Sequence, residues 1–156
     1  MVRKMKFREY QSSDLKEICE LFYETITIIN KYDYNDEQIR VWSNRRNVLL
    51  KQDNFFYSLY TIVAIENNKI VGYGNIDKNG YLDHLYVHKN YQRRHIATLL
   101  CDKLENYNKE IKELTVHSSI TAKPFFEKRG YKVVKEQTVE LDGVNINNYL
   151  MKKVIL

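Results

Sequence analysis

A chain of 156 residues with 44% hydrophobic side chains and one proline is long enough for a single folded domain and too apolar to be disordered. Its net charge of +5 is scattered along the chain without a basic tail, which suits a polyanionic small molecule and weakens the case for nucleic acid. No apolar run reaches membrane-spanning length, and the basic start "MVRKMKFREY" has no apolar stretch behind it, so neither a span nor a signal peptide is expected and the cytoplasm is the expected location.

In chain order, "MKFREY" alternates as a first strand does. "SSDLKEICELFYETITIINK" reads as a helix with Asp14 and Glu17 as its capping pair and Leu15, Ile18, Phe22, Ile26 and Ile29 on one face. A second helix starts after Asn35, with Gln38 completing a capping box, and continues shortly through Val48-Leu49-Leu50. "FYSLYTIVAIE" and "KIVGYGNI" read as strands joined by a tight turn at Asn67-Asn68, and Asp77 to Gly80 turns the chain into the strand "YLDHLYVH".

A basic bend follows, then a helix with Ile96, Leu99, Leu100, Leu104 and Tyr107 in a stripe. "KELTVHS" is a further strand. "TAKPFFEKRG" is a short helix that Thr121 can cap, with Pro124 in its first turn and Gly130 after it. Two last strands flank Asp142-Gly143. Hairpin-joined strands followed by strand–helix–strand crossovers imply one α+β domain over residues 1–156, with a mixed, mostly antiparallel central sheet flanked by helices. Cys19 and Cys101 sit singly inside helices, as reduced buried thiols do, and the four histidines lack ligand spacing, so no disulfide and no metal are expected.

The bend carries the chemistry. Gln92-Arg93-Arg94-His95 opens a helix with no acid in its first turn, where acids are normally favoured. Free amides, the helix dipole and two arginines at one point make an anion site, and an acid there would repel its ligand. The alternative is a basic helix start lying in solvent.

"VHKNYQRRHIATLL" resembles the cofactor loop of the GNAT (GCN5-related) N-acetyltransferase superfamily, with Gln92, Arg93, Arg94, His95, Ile96 and Ala97 aligned on its Gln/Arg-x-x-Gly-x-Gly/Ala pattern. "SSITAKPFFEKRGY" is similar to the family's second stretch, and the element order matches over nearly the whole chain. Two departures stand out: His95 replaces the first loop glycine, and Phe126 occupies the place where many members carry a thiolate-protonating tyrosine. A helical-start conformation is expected at His95, which would need neither a missing Cβ nor a positive φ.

The resemblance implies acetyl-coenzyme A as donor and a primary amine, on a small molecule or on a peptide or protein, as acceptor. It implies backbone contacts to the pantetheine arm from Leu85, Tyr86 and Val87. The pyrophosphate falls to the loop after Gln92, from Arg93, Arg94, His95, Ile96 and Ala97 to Thr98. Ser119 would bond the pantetheine amide, and Phe125, Phe126 and Lys128 would flank the thiol end or the adenosine. Tyr32, Tyr34, Trp42 and Tyr149 are candidate acceptor walls or ordinary core aromatics.

An amine with a pKa of roughly 10.4 costs on the order of 4–5 kcal/mol to deprotonate at neutral pH, against about 2 kcal/mol for releasing a thiolate near 8.5. The base therefore matters more than the missing tyrosine. Asp83, on the Tyr81 side of its strand, is the first candidate for the base or for holding a base water; a strand-edge carboxylate is its plain alternative. His117 and His84 are the other candidates, and Tyr131 is a core residue or a substitute acid. Strand alternation puts Tyr81, Asp83 and Leu85 on one face and Leu82, His84 and Tyr86 on the other. A coenzyme A- or peptide-binding domain with weak catalysis is the alternative function, and a basic nucleic-acid-binding domain a third. No nucleic-acid or membrane partner is expected, and the oligomeric state is open, a homodimer included.

Overall fold

The computed structural model describes residues 5–155, so the first four residues of the segment read for a signal peptide lie outside the described residues. A seven-stranded sheet forms from β1 (Lys6–Glu9), β2 (Tyr60–Glu66), β3 (Lys69–Ile76), β4 (Tyr81–Val87), β5 (Glu113–Ser118), β6 (Lys132–Leu141) and β7 (Val144–Val154), in the order β1-β2-β3-β4-β5-β7-β6. Every neighbouring pair is antiparallel except β4 and β5. This is the expected mixed α+β architecture. The Asn67-Asn68 and Asp142-Gly143 turns hold the positive φ values that such two-residue hairpins require: 54°, 61°, 49° and 80°.

Helices α1 (Leu15–Ile28), α2 (Asp36–Ser43), α3 (Arg45–Leu49) and α4 (Asp53–Ser58) precede β2. Their apolar residues join Val63, Ile70 and Tyr73 in a core on one face of the sheet. Helices α5 (Ile96–Glu105) and α6 (Lys123–Lys128) enclose a second core with Ile62, Val71, Leu82 and Leu114 on the other. The box at the start of α2 forms as read, Asn35 Oδ1 accepting from the Gln38 amide and Gln38 Oε1 from the Asn35 amide.

Four local expectations are corrected. Asp14 does not cap α1 with Glu17. It takes two bonds from Arg8 and one from the Gln11 amide, while Glu17 accepts the Ile70 amide at 2.7 Å. The chain before β2 is the helical turn α4 rather than a strand. One turn lets the adjacent Phe55 and Phe56 both reach the α1-side core, which an extended chain would send to opposite faces. The stripe read from Ile96 to Tyr107 is corrected too: α5 ends at Glu105, Leu99 on it and Tyr107 beyond it are exposed, and Cys101 faces in. The first turn of α6 is served by Ser119 Oγ, which accepts the Ala122 amide at 3.0 Å, because the Thr121 hydroxyl bonds Asp33.

Candidate active site

β4 and β5 are paired at two positions only, where the start of β4 meets the middle of β5: Tyr81 with Thr115 and Leu82 with Val116. Beyond that they separate, and a cavity of about 620 Å³ occupies the gap, bounded by β4, the start of α5 and the β5–α6 turn. The parting exposes a strand edge. His88 N–H donates to the Val71 carbonyl at 2.8 Å and His84 N–H to Asn75 Oδ1 at 2.9 Å, so the even-numbered amides of β4 face β3. Leu85 and Val87 therefore aim theirs into the gap.

Tyr86, expected as a third backbone contact, pairs instead with Tyr73 on β3. The Val87 carbonyl is already engaged by Gln92 Nε2 at 2.7 Å and Thr25 Oγ1 at 3.0 Å. Gln92 thus folds the bend back onto its own strand. Thr25 is a site residue that the sequence analysis missed, although a lone hydroxyl three residues after Phe22 on an apolar helix face was the available signal.

A bulge sets the carboxylate. Between the pairs Gly74–Leu85 and Ile76–Leu82, β4 carries one residue more than β3, so Asp83 and His84 together oppose Asn75. Alternation fails here: Leu82 packs in the α5-side core and Tyr86 against the α1-side core. Asp83 lines the cavity with an accessible side chain. The protein packed around it and Asp77 raise its pKa, and His117 draws it down. His117 also lines the cavity. Tyr81 is not on the wall; its ring lies 5.2 Å from that of His117, and burial pushes its hydroxyl up to about 12.

His84 packs among Phe22, Phe55, Phe56, Tyr73 and Tyr86, its Nδ1 lying 2.9 Å from the Tyr73 hydroxyl. Burial pushes its pKa down to about 4, so it is neutral at pH 7. Tyr131 is no substitute acid, because its hydroxyl donates to Glu105 at 2.8 Å inside the α5-side core.

The loop departs from expectation in two ways. His95 sits at φ 62° and ψ 16°, and Arg93 at φ 60°, so the helix start does demand left-handed backbone. Glycine suits that position for a steric reason, which His95 meets with its Cβ in place. The two arginines also divide. Arg94 forms a two-point pair with Glu66 at 2.9 and 3.0 Å, away from the cavity wall. Arg93 lines the cavity and makes no ion pair among the described residues. The first helical amide with a carbonyl acceptor is that of Leu99, bonded to His95, so the amides before it are free for a ligand.

The other expected contacts are brought together: Leu85, Ile96, Ala97, Thr98, Ser119, Phe125, Phe126 and Lys128 all line the cavity, as does Trp42. Three expected walls are not: Tyr34 is buried in the α1-side core. Tyr32 is 80% exposed, and Tyr149 packs with the α5-side core under the Lys123 ammonium.

The comparisons agree with this fold. The chain is 34% identical over 148 residues to the uncharacterized N-acetyltransferase YafP of Escherichia coli K12, covering 95% of each. A GCN5-related N-acetyltransferase from Rhodopseudomonas palustris superposes with a TM-score of 0.93 at 29% identity, covering 99% of both chains. The fold is also that of PaiA N-acetyltransferase from Thermoplasma acidophilum, solved in complex with coenzyme A, with a TM-score of 0.76 at 20% identity and coverage of 97% and 99%. The domain model described as acetyltransferase (GNAT) matches residues 30–153, which take in strands β2 to β6, all but the last residue of β7, and the gap, and the chain belongs to that family.

Proposed function

We propose that the protein is an amine N-acetyltransferase that takes the acetyl group of acetyl-coenzyme A and passes it to a primary amine by direct attack while both are bound. One observation carries the reading. The gap between β4 and β5 joins a cationic, amide-lined end at α5 to an end bearing the Asp83 carboxylate. The residues present fit the donor: the helix start offers free amides and Arg93 for a diphosphate, and the open edge of β4 offers Leu85 and Val87 amides for the pantetheine arm.

Bound there, the thioester supplies an activated acyl group. Asp83, its pKa raised, accepts the amine proton directly or through a water. Phe126 lines the cavity with no proton to give, which matches the smaller cost of releasing a thiolate, about 2 kcal/mol, beside that of deprotonating the amine. The free buried thiols Cys19 and Cys101 are compatible with a cytoplasmic setting.

Acetyl-coenzyme A is expected to raise the melting temperature of both the wild type and Asp83→Asn. The variant is expected to lose about 10²- to 10⁴-fold in kcat with primary amines. In the wild type, kcat/KM rises with pH as the carboxyl ionises. A melting rise without thiol release from any amine would leave only a binding domain. Undiminished turnover in Asp83→Asn would move the base to His117.

A further inference from the structure

We infer that the acceptor is a small free amine, and that Tyr34 excludes peptides and folded proteins by fastening the α1–α2 crossing over the acceptor end of the gap. This deepens the acetyltransferase reading and rests on it.

Between α1 and α2 the chain passes through a 3₁₀ turn (Asn30–Tyr32) and then Asp33 and Tyr34. The Tyr34 ring is 8% exposed and packs edge-on to Trp42 at 5.2 Å. Its hydroxyl does two things at once: it accepts the Ile120 amide at 2.9 Å and donates to the Asn147 carbonyl at 3.0 Å. Beside it, the Thr121 hydroxyl donates to Asp33 at 2.8 Å. These bonds join parts of the chain 86 to 113 residues apart, so they are a tertiary clasp and not local turn chemistry.

The clasp borders the cavity. Asn30 and Trp42 line it from the α1–α2 side and Ser119 and Thr121 from the β5–α6 side, and the bonds from Asp33 and Tyr34 tie together the segments that carry those residues. An extended peptide needs roughly 4.7–4.9 Å to each neighbouring strand, so it cannot pass between groups already in direct contact at 2.8 to 3.0 Å without breaking them. A lysine on a folded surface would also have to bring its own backbone to the clasp.

What remains is a chamber with Trp42 and Tyr86 on its wall and Asp83 within it. Aromatic faces with one carboxylate suit an ammonium group on a short alkyl or arylalkyl body.

The test compares thiol release with 2-phenylethylamine and putrescine against a decapeptide with a free N-terminus and a folded protein with exposed lysines. Tyr34→Phe keeps the ring and removes both hydroxyl bonds. Wild type is expected to prefer a small amine by about 100-fold in kcat/KM, and the variant to narrow that ratio about tenfold. Faster hydrogen exchange at the Ile120 amide, with the melting rise caused by acetyl-coenzyme A retained, would show that the clasp opened in a folded protein. Where that amide stays protected, Tyr34→Phe combined with Thr121→Val is read in the same way. Equal use of peptides and small amines by the wild type overturns the inference while leaving the acetyltransferase reading intact, as does an unmoved ratio once the amide has been exposed. No thiol release from any amine removes both.

Discussion

Arg93 and His95 hold φ at 60° and 62° in the anion loop, each with a full side chain. An L-residue in that region loses about 1–2 kcal/mol, whereas glycine loses roughly 0.5–1 kcal/mol through its freer unfolded chain. The balance favours glycine slightly, so His95→Gly is expected to raise the urea midpoint a little. His95→Val, β-branched in a left-handed position, is expected to lower it clearly. A valine variant as stable as wild type would mean that the loop relaxes to ordinary helical backbone. The two arginines separate by the same kind of argument. Arg94→Met removes a two-point bond to the buried Glu66 carboxylate and is expected to lower the melting temperature. Arg93→Met leaves melting nearly unchanged and reduces the further rise caused by acetyl-coenzyme A. Identical behaviour of the two would erase the distinction between a ligand-facing and a positioning arginine.

Among the elements, α5 governs the loop because the loop is its first turn. The helix sits close on β3 at two glycines. A Cβ on Gly72 would meet Ile96 Cγ2 at 3.0 Å and Leu100 Cδ1 at 3.2 Å, and one on Gly74 would meet the His84 carbonyl and Leu104 Cδ1, both at 3.0 Å. Either alanine costs about 1–3 kcal/mol by overpacking. Gly72 lies under the end that carries the amides, so Gly72→Ala is expected to weaken acetyl-coenzyme A binding by calorimetry, and Gly74→Ala to lower stability with affinity kept. Equal losses of affinity would detach the loop from the seating of its helix.

The same elements show what a sequence discloses. The helix face of α1, the capping box of α2, the Asn67-Asn68 and Asp142-Gly143 hairpins and the acid-free start of α5 rest on period and turn chemistry, and they were legible. The bulge at Asp83 and His84 was not, because it depends on the Asn75 side chain holding the His84 amide across to β3. Nor was the fate of Arg94, whose partner Glu66 lies 28 residues away, or that of Tyr34, bonded to residues 86 and 113 positions distant. Pairing across such separations leaves no periodic trace. The loop residues were found from a motif, and their backbone conformation, the cause of the glycine in it, could be read only in the fold.

Over the whole molecule, the sheet is continuous except where β4 and β5 part, and each face carries its own core. Glu105 braces the C-terminal arm to α5, accepting from Arg129 at 2.7 Å, Tyr131 at 2.8 Å and Lys153 at 3.4 Å. The α1-side core instead carries a titratable group, His84, where it meets the cavity. Burial holds His84 near a pKa of about 4, and an unfolded histidine titrates near ~6.5. Between those values the unfolded chain binds a proton that the folded chain refuses. Stability therefore rises with pH across that window and is lost as pH falls from about 6.5 toward 4. One proton gives a slope of at most about 1.4 kcal/mol per pH unit, roughly 3 kcal/mol in all. His88, also depressed by burial and by Lys69, adds to the same limb. Burial pulls Asp14 up, but its bonds from Arg8 and Gln11 win and lower its pKa, so its contribution is lost only at more acid pH; Asp83, raised, acts with the opposite sign. Those groups remain in His84→Gln and cancel in the comparison. Urea unfolding of the two proteins is expected to diverge in slope between pH 6.5 and 4 and to run parallel below it. Curves parallel throughout would mean that His84 takes its proton as readily folded as unfolded, and the aromatic ring around it would then be open to water.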